Sequence, residues 1–206
     1  MKREIVERYS KLPLGNICDA NDKKGSMDHL MRSVNPLDRC VGFAFTVKGH
    51  PGDNLAIHRA ILEAPEGSVL VVDINDYCKG GHFGEVMGTA CQNKGIVGLV
   101  INGTVRDADN LAEIGFPVFA RGTYSGGTTK NEIGILGQPI VCGGVIVNTG
   151  DLIAADRDGV VVVEEEEINE VLEKAEAIFN KELNIVQELK NGKTTVEIYK
   201  FPKLIK

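Results

Sequence analysis

The chain has 206 residues, 43% of them apolar and 25% charged, which is enough for one domain with a substantial core and excludes wholesale disorder. Its net charge of −6 offers no basic field for a phosphate backbone, so no nucleic-acid partner is expected. No apolar run approaches the roughly 18 residues of a membrane span, the N-terminus MKREIVERYSKLP lacks a secretory core, and five widely spaced cysteines form no C-x-x-C pair; the expectation is a soluble, cytoplasmic protein with reduced thiols and no membrane contact.

Val and Ile together number 40 against 15 Leu, an excess of β-branched side chains that favours sheet. In chain order, residues 1–20 read as a short helix and turn, and Val41–Val47 alternates as a strand does. Asp53–Ala64 has helical spacing, with Asp53 or Asn54 able to cap it. Val69–Asp73 is a continuous apolar run of the doubly buried kind, followed by a helix at 84–93 and a second buried strand, Ile96–Ile101. Strand, helix and strand in this order make a βαβ unit, so the two strands should run parallel. A short helix after Asp107 leads to the strand Pro117–Ala120. Further strands are expected at Ile140–Val147, Leu152–Ala155 and Gly159–Val163. Beyond Glu164–Glu167, apolar residues from Ile168 to Leu183 recur at helical spacing, and Thr195–Tyr199 reads as a final strand. The chain is thus α/β, with an α/β domain over residues 1–163 and a C-terminal helical extension over 164–206.

Ligands in open α/β sheets bind at the carboxyl ends of the strands. Two segments hold that place on the βαβ unit: NDYCKGGHFGEVM after Asp73 and NGTVRD after Ile101. They should converge on one site. Because the first runs straight into a helix, the backbone N–H groups of Gly84, Glu85, Val86 and Met87 are first-turn donors, ready for a carboxylate or phosphate. Neither a Walker A pattern nor G-x-G-x-x-G is present, so a nucleotide is not indicated. Arg106-Asp107 reads either as a surface ion pair with Asp107 capping the next helix, or as a site. In the second reading Asp107 holds a hard divalent cation, Arg106 contacts a carboxylate or developing enolate, and Glu85 orients or deprotonates a nearby water.

The stretch GHFGEVMGTACQNKGIVGLVINGTVRD, then FPVFARG, then GGVIVNTGDLIAADRDGVVVV resembles the RraA-like family across about residues 10–163. The most specific element is an acidic residue, twenty intervening residues, then Arg-Asp, here Glu85 and Arg106-Asp107. The family includes metal-dependent 4-hydroxy-4-methyl-2-oxoglutarate / 4-carboxy-4-hydroxy-2-oxoadipate aldolases and the regulator of ribonuclease E activity. The resemblance implies a sandwich related to swivelling β/β/α domains, assembled as a homotrimer or homohexamer with sites near subunit interfaces. It also implies Mg²⁺ or Mn²⁺ on Asp107, Arg106 on the oxo-acid end, the Gly84–Met87 amides on a pyruvyl carboxylate, and oxaloacetate decarboxylation as a second activity. Glu85 stands where the best-known aldolases carry Asp. A glutamate from a neighbouring subunit's C-terminal helix also serves the metal in those enzymes, and spacing makes Glu182 the candidate here. The same resemblance allows a non-catalytic regulator that binds a ribonuclease or helicase.

Other residues carry weaker signals. His82 reads as a loop histidine or a substrate contact, His58 as filler, Arg121 as a site residue or an ion-pair partner, and Cys78 as inert without a basic neighbour. Ser125–Asn131 (SGGTTKN) resembles the Gly-rich histidine motif of phosphohistidine swivelling domains, but Lys130 occupies the histidine position, which excludes phosphoryl relay there. No strand ends in the signature expected of an S-adenosylmethionine site.

Overall fold

Ser68–Asp73 and Gly98–Val105 are buried at every residue, the pattern of strands covered on both faces, and the architecture is arranged around them. The computed structural model describes residues 2–201. Its elements in chain order are α1 (Lys2–Tyr9), α2 (Leu14–Ala20), β1 (Arg32–Ser33), β2 (Cys40–Lys48), α3 (Leu55–Glu63), β3 (Ser68–Asp73), α4 (Glu85–Asn93), β4 (Gly98–Val105) and α5 (Ala108–Glu113). These are followed by β5 (Val118–Thr123), β6 (Ile135–Leu136), β7 (Ile140–Cys142), β8 (Val145–Val147), β9 (Leu152–Asp156), β10 (Gly159–Val163), α6 (Ile168–Lys190) and α7 (Thr195–Tyr199).

One mixed sheet has the order β1-β5-β4-β3-β2-β9-β10, with β6 beside β2. Strands β2 to β5 are parallel neighbours, and the others join antiparallel. Its two ends, β1 and β10, come back into contact, so the sheet is nearly closed. Apolar side chains fill three zones. Ile57, Phe83, Leu99 and Phe116 pack on the face covered by α3, α4 and α5. Met31, Val71, Phe119 and Cys142 fill the opposite face, under the β7–β8 hairpin. Ile17, Val161, Val171 and Leu172 seat α2 and α6 on β9 and β10, where the Tyr9 hydroxyl donates to the Ile168 carbonyl at 2.7 Å. Each large side chain so buried contributes about 1.5–3 kcal/mol.

Four expectations change. Residues 1–20 hold two helices, because Pro13 opens α2 as its N-cap after α1 has ended. Residues 140–147 form a hairpin that turns at Gly143 and Gly144, both at positive φ, where glycine carries no Cβ penalty. Thr195–Tyr199 is a helix: the Thr194 hydroxyl accepts from the Glu197 amide and the Glu197 carboxylate accepts from the Thr194 amide, a capping box that outweighs the segment's β-branched content. Strand β4 begins at Gly98 and continues through Val105, with its pairing to β5 shifting register between Ile101 and Thr104, so Arg106 and Asp107 stand at the end of a longer strand than the apolar run suggests. The extension after residue 163 packs on its own chain through the first half of α6; residues 202–206 of that extension lie outside the described residues. Among the described residues no helix is long and apolar enough to cross a membrane.

Candidate functional site

Strands β3 and β4 are parallel, so their carboxyl ends open on the same edge. The chain leaving β3 passes Asn75 and Asp76, both left-handed, and then runs beside the end of β4. The Thr104 hydroxyl donates to the Gly80 carbonyl at 2.9 Å, the His82 amide to the Thr104 carbonyl at 3.0 Å, and the Arg106 amide to the Phe83 carbonyl at 2.8 Å. This ladder delivers the start of α4 against Arg106-Asp107. A Cβ on Gly84 would lie 2.3 Å from Asp107 Oδ2, a distance only glycine permits.

Asp107 occupies the N-cap position of α5 but makes no side-chain cap and holds φ at 57°. Left-handed backbone on a non-glycine residue is unfavourable, although Asp tolerates it better than most. The strain leaves the carboxylate free instead of tying it to α5, so the capping reading fails. The ion-pair reading is also weak: Arg106 Nε lies 3.7 Å from Asp107 Oδ2, with both side chains over 40% exposed, beyond hydrogen-bond range. At α4 the amides of Gly84, Glu85 and Val86 donate to no backbone or side-chain acceptor among the described residues, whereas the Met87 amide donates to the Gly84 carbonyl at 3.0 Å. The four donors expected are therefore three.

A cleft of about 180 Å³ lies here, lined by Gly84, Arg106 and Asp107 together with Asn54, His58 and Lys130. That is below the roughly 300–1,000 Å³ of drug-sized sites and suits a small acid. His82 is fully buried in its wall. Its Nε2 accepts from the Gly52 amide at 3.1 Å, so Nδ1 carries the proton and donates to the Thr104 carbonyl at 3.2 Å. Burial pushes its pKa down. His82 is a neutral strut with both nitrogens engaged. Asn54 donates to the His82 carbonyl at 3.0 Å and leaves its buried Oδ1 without a partner; it does not cap α3. Burial and then the Lys130 ammonium lower the His58 pKa.

Asp53 joins the helix to the loop that closes the cleft. Its carboxylate accepts from the Thr129 hydroxyl at 2.6 Å and from the amides of Asn131 at 2.7 Å and Leu55 at 2.9 Å. Burial opposes ionisation, yet these donors prevail and hold its pKa at about 2.

Of the residues singled out from sequence, Gly84, Val86, Met87, Arg106 and Asp107 line this cleft. Glu85 does not: its Oε2 accepts from Asn110 Nδ2 of α5 at 3.0 Å. Glu182 lies on α6, accepts from Asn16 at 2.7 Å and stands away from its own chain's cleft. Arg121 is held by Asn102, Asp28 and Asp76 on the other side of β4, and Cys78 donates to the Asp76 carbonyl. His58 and Lys130 are the members sequence reasoning missed. The i, i+4 spacing of Asn54 and His58 on a helix was the available signal for the first; Lys130 had none, since a long loop brings it in. Among the described residues no three His, Cys, Asp or Glu side chains gather as a metal cage.

Comparison with known proteins supplies independent observations. A family model described as RraA-like, Aldolase/RraA, matches residues 14–162. A protein of Halalkalibacterium halodurans, named as a proposed 4-hydroxy-4-methyl-2-oxoglutarate aldolase, is 36% identical over 172 residues, covering 84% of this chain and 82% of its own. A crystal structure of an uncharacterized protein from Pseudomonas syringae superposes with a TM-score of 0.86 at 29% identity, covering 94% of this chain and 92% of that one. The structure of the RNA-processing inhibitor RraA from Thermus thermophilis shares the fold at a TM-score of 0.67 and 24% identity, covering 73% of this chain and 92% of its own.

Proposed function

The chain belongs to the RraA-like family, and from that premise we propose that it is a divalent-metal-dependent lyase. It cleaves a 4-hydroxy-2-oxo acid such as 4-hydroxy-4-methyl-2-oxoglutarate to pyruvate and a second oxo acid, and decarboxylates oxaloacetate as a side activity. The observation that carries this reading is the Asp107 carboxylate, uncapped and held against the open start of α4 with Arg106 beside it. A protein that only binds partners has no need of that arrangement.

The donor set fits Mg²⁺ or Mn²⁺. Asp107 offers hard oxygen in an open cleft, and the buried His82 has no free nitrogen to ligate. Mg²⁺ takes one or two carboxylates, retains waters and accepts oxygen from substrate. When bound at Asp107, such a cation supplies electrophilic polarisation of the 2-oxo group.

The remaining chemistry belongs to the chain. The amides of Gly84, Glu85 and Val86 hold the C1 carboxylate at the positive end of α4. Arg106 directs its guanidinium at the C2 oxygen. As the C4 hydroxyl loses its proton and the C3–C4 bond breaks, the electron pair moves into a pyruvate enolate whose charge Arg106 stabilises. Protonation at C3 then gives pyruvate, and C4 leaves as the carbonyl of the second product. Glu85, which Asn110 holds outside the cleft lining, is assigned to take the C4 hydroxyl proton through an intervening water, the same relay returning a proton at C3. We assign Glu182 to a neighbouring copy's site in a homotrimer or homohexamer.

Pyruvate release, coupled to lactate dehydrogenase, tests the reading with oxaloacetate and 4-hydroxy-4-methyl-2-oxoglutarate, in Mg²⁺, in Mn²⁺ and in chelator. Release above the metal-only blank, abolished by chelator and by Asp107→Ala, is expected. No release from folded, metal-loaded protein overturns the lyase and leaves the non-catalytic regulator of a ribonuclease or helicase.

A further inference from the structure

Strands β4 and β5 pair up to Ile101 opposite Ala120 and resume at Thr104 opposite Gly122, so Asn102 and Gly103 of β4 stand against the single residue Arg121 of β5. This is a β-bulge, which re-aims the side chains that follow it, and it lies just before Arg106 and Asp107. A Cβ on Gly103 would sit 2.3 Å from Ile74 Cδ1 and 2.9 Å from the Tyr77 carbonyl oxygen. The chain leaving β3 therefore crosses directly over the bulge.

The Arg121 guanidinium holds this crossing from outside the cleft lining. Its Nε donates to Asn102 Oδ1 at 2.5 Å, Nη1 donates to Asp28 Oδ2 at 3.2 Å, and Nη2 lies 3.3 Å from Asp76 Oδ1. Asn102 passes the restraint to β3 by donating to Asp73 Oδ1 at 3.3 Å. The same Asp73 carboxylate accepts from Lys48 Nζ of β2 and from the Asn75 amide at 2.9 Å. Asn102 and Asp73 are buried and the Arg121 side chain is only 13% exposed, so these contacts are little screened. Asn102 belongs to the segment that ends in Arg106-Asp107, and Asp76 to the one that runs into α4. One guanidinium grips both segments, ahead of the ladder through Thr104, His82 and Phe83 that joins them.

We infer that Arg121 is a positioning residue for the site: it fixes the bulge of β4 against the loop after β3, and so sets where Arg106 and Asp107 meet the start of α4. The catalytic consequence rests on the lyase reading given above, whereas the coupling of the two segments does not. Three guanidinium nitrogens serve three different partners here, a fork that the point charge of an ammonium cannot reproduce.

Two measurements test it. The His82 and Arg106 amides, bonded to the Thr104 and Phe83 carbonyls, report the coupling without turnover through their hydrogen exchange. Arg121→Lys keeps the charge and loses the fork. It should speed exchange at both amides about tenfold, the worth of one hydrogen bond to a charged group, and leave the Val162 amide of β10 at its wild-type rate. Asp76→Asn takes one partner from the fork at an exposed position whose left-handed backbone Asn tolerates, and it should shift the same two amides in the same direction even if Arg121→Lys folds poorly. In the pyruvate assay Arg121→Lys should lower kcat about 10²-fold, the cost of an ångström of misplacement, with KM nearly unchanged because Arg106 acts on the developing enolate. His82 and Arg106 amides at wild-type rates in both variants overturn the inference whatever the pyruvate assay gives. A rise that Val162 shares equally also overturns it, because Arg121 then serves overall stability. A local rise in an active enzyme whose kcat is undiminished overturns it as well. A local rise with no pyruvate from any of the proteins, wild type included, supports Arg121 and counts against the lyase alone.

Discussion

At the residue scale, the site depends on one missing atom. Gly84 lets the α4 backbone come so close to Asp107 that any Cβ would lie 2.3 Å from the carboxylate oxygen. Gly84→Ala should therefore push Asp107 from its place, by an ångström or so. Displacements of that size cost catalysis about 10²-fold, whereas stability should change little, because the Asp107 side chain is exposed and uncapped. Pyruvate release and thermal melting on the same preparation check this; a large drop in melting temperature with proportionate activity loss would assign Gly84 to the fold instead. The two residues are also where sequence reading was most informative. Both were singled out from their positions after apolar runs, and the structure brings them into contact. What the spacing did not reveal is that Asp107 is left-handed and that Met87 has no free amide, since both follow from how the helix starts.

At the element scale, the Asp53 carboxylate binds the start of α3 to the loop that carries Lys130. Its pKa of about 2 lies below the ordinary 3.8. A carboxylate more acidic folded than unfolded adds stability that is complete above the unfolded value and is lost as pH falls through the folded one. Asp53 should thus contribute fully above about pH 4 and progressively less down to about pH 2. Urea midpoints across that range should fall steeply in wild type and less steeply in Asp53→Asn, whose stability at pH 7 should be lower by about 1–3 kcal/mol, the cost of disturbing buried donors. Parallel slopes would show that the clamp does not titrate. Capping propensity alone made Asp53 and Asn54 interchangeable. The long-range partners Thr129 and Asn131 separate them, and no local pattern carries that information. The same limit explains α7, where a capping box outweighs a β-branched run.

At the scale of the whole molecule, the cleft is flanked by exposed apolar side chains. Val86 is 80% exposed beside the α4 amides, and Leu62 is 72% exposed on the adjoining α3. Such groups beside a polar cleft suit a subunit contact, in keeping with the homotrimer or homohexamer proposed. Light scattering should give three or six times the chain mass for wild type. Glu182→Gln should leave that mass unchanged while lowering pyruvate release, if Glu182 serves a neighbour's site. A monomer of full activity would remove Glu182 from the site altogether.

By itself the sequence determined the α/β class, the parallel βαβ unit, and the meeting of the Gly-rich loop with Arg106-Asp107. Each follows from local physics: runs of β-branched residues bury as strands, a strand–helix–strand order imposes parallel pairing, and parallel strands open their ends on one edge. Only the tertiary structure decided the rest. It turned Glu85 toward Asn110, committed both nitrogens of His82 to the backbone, and carried Lys130 to the cleft on a loop held by Asp53. Those outcomes depend on contacts between residues far apart in the chain, whose geometry is set by packing.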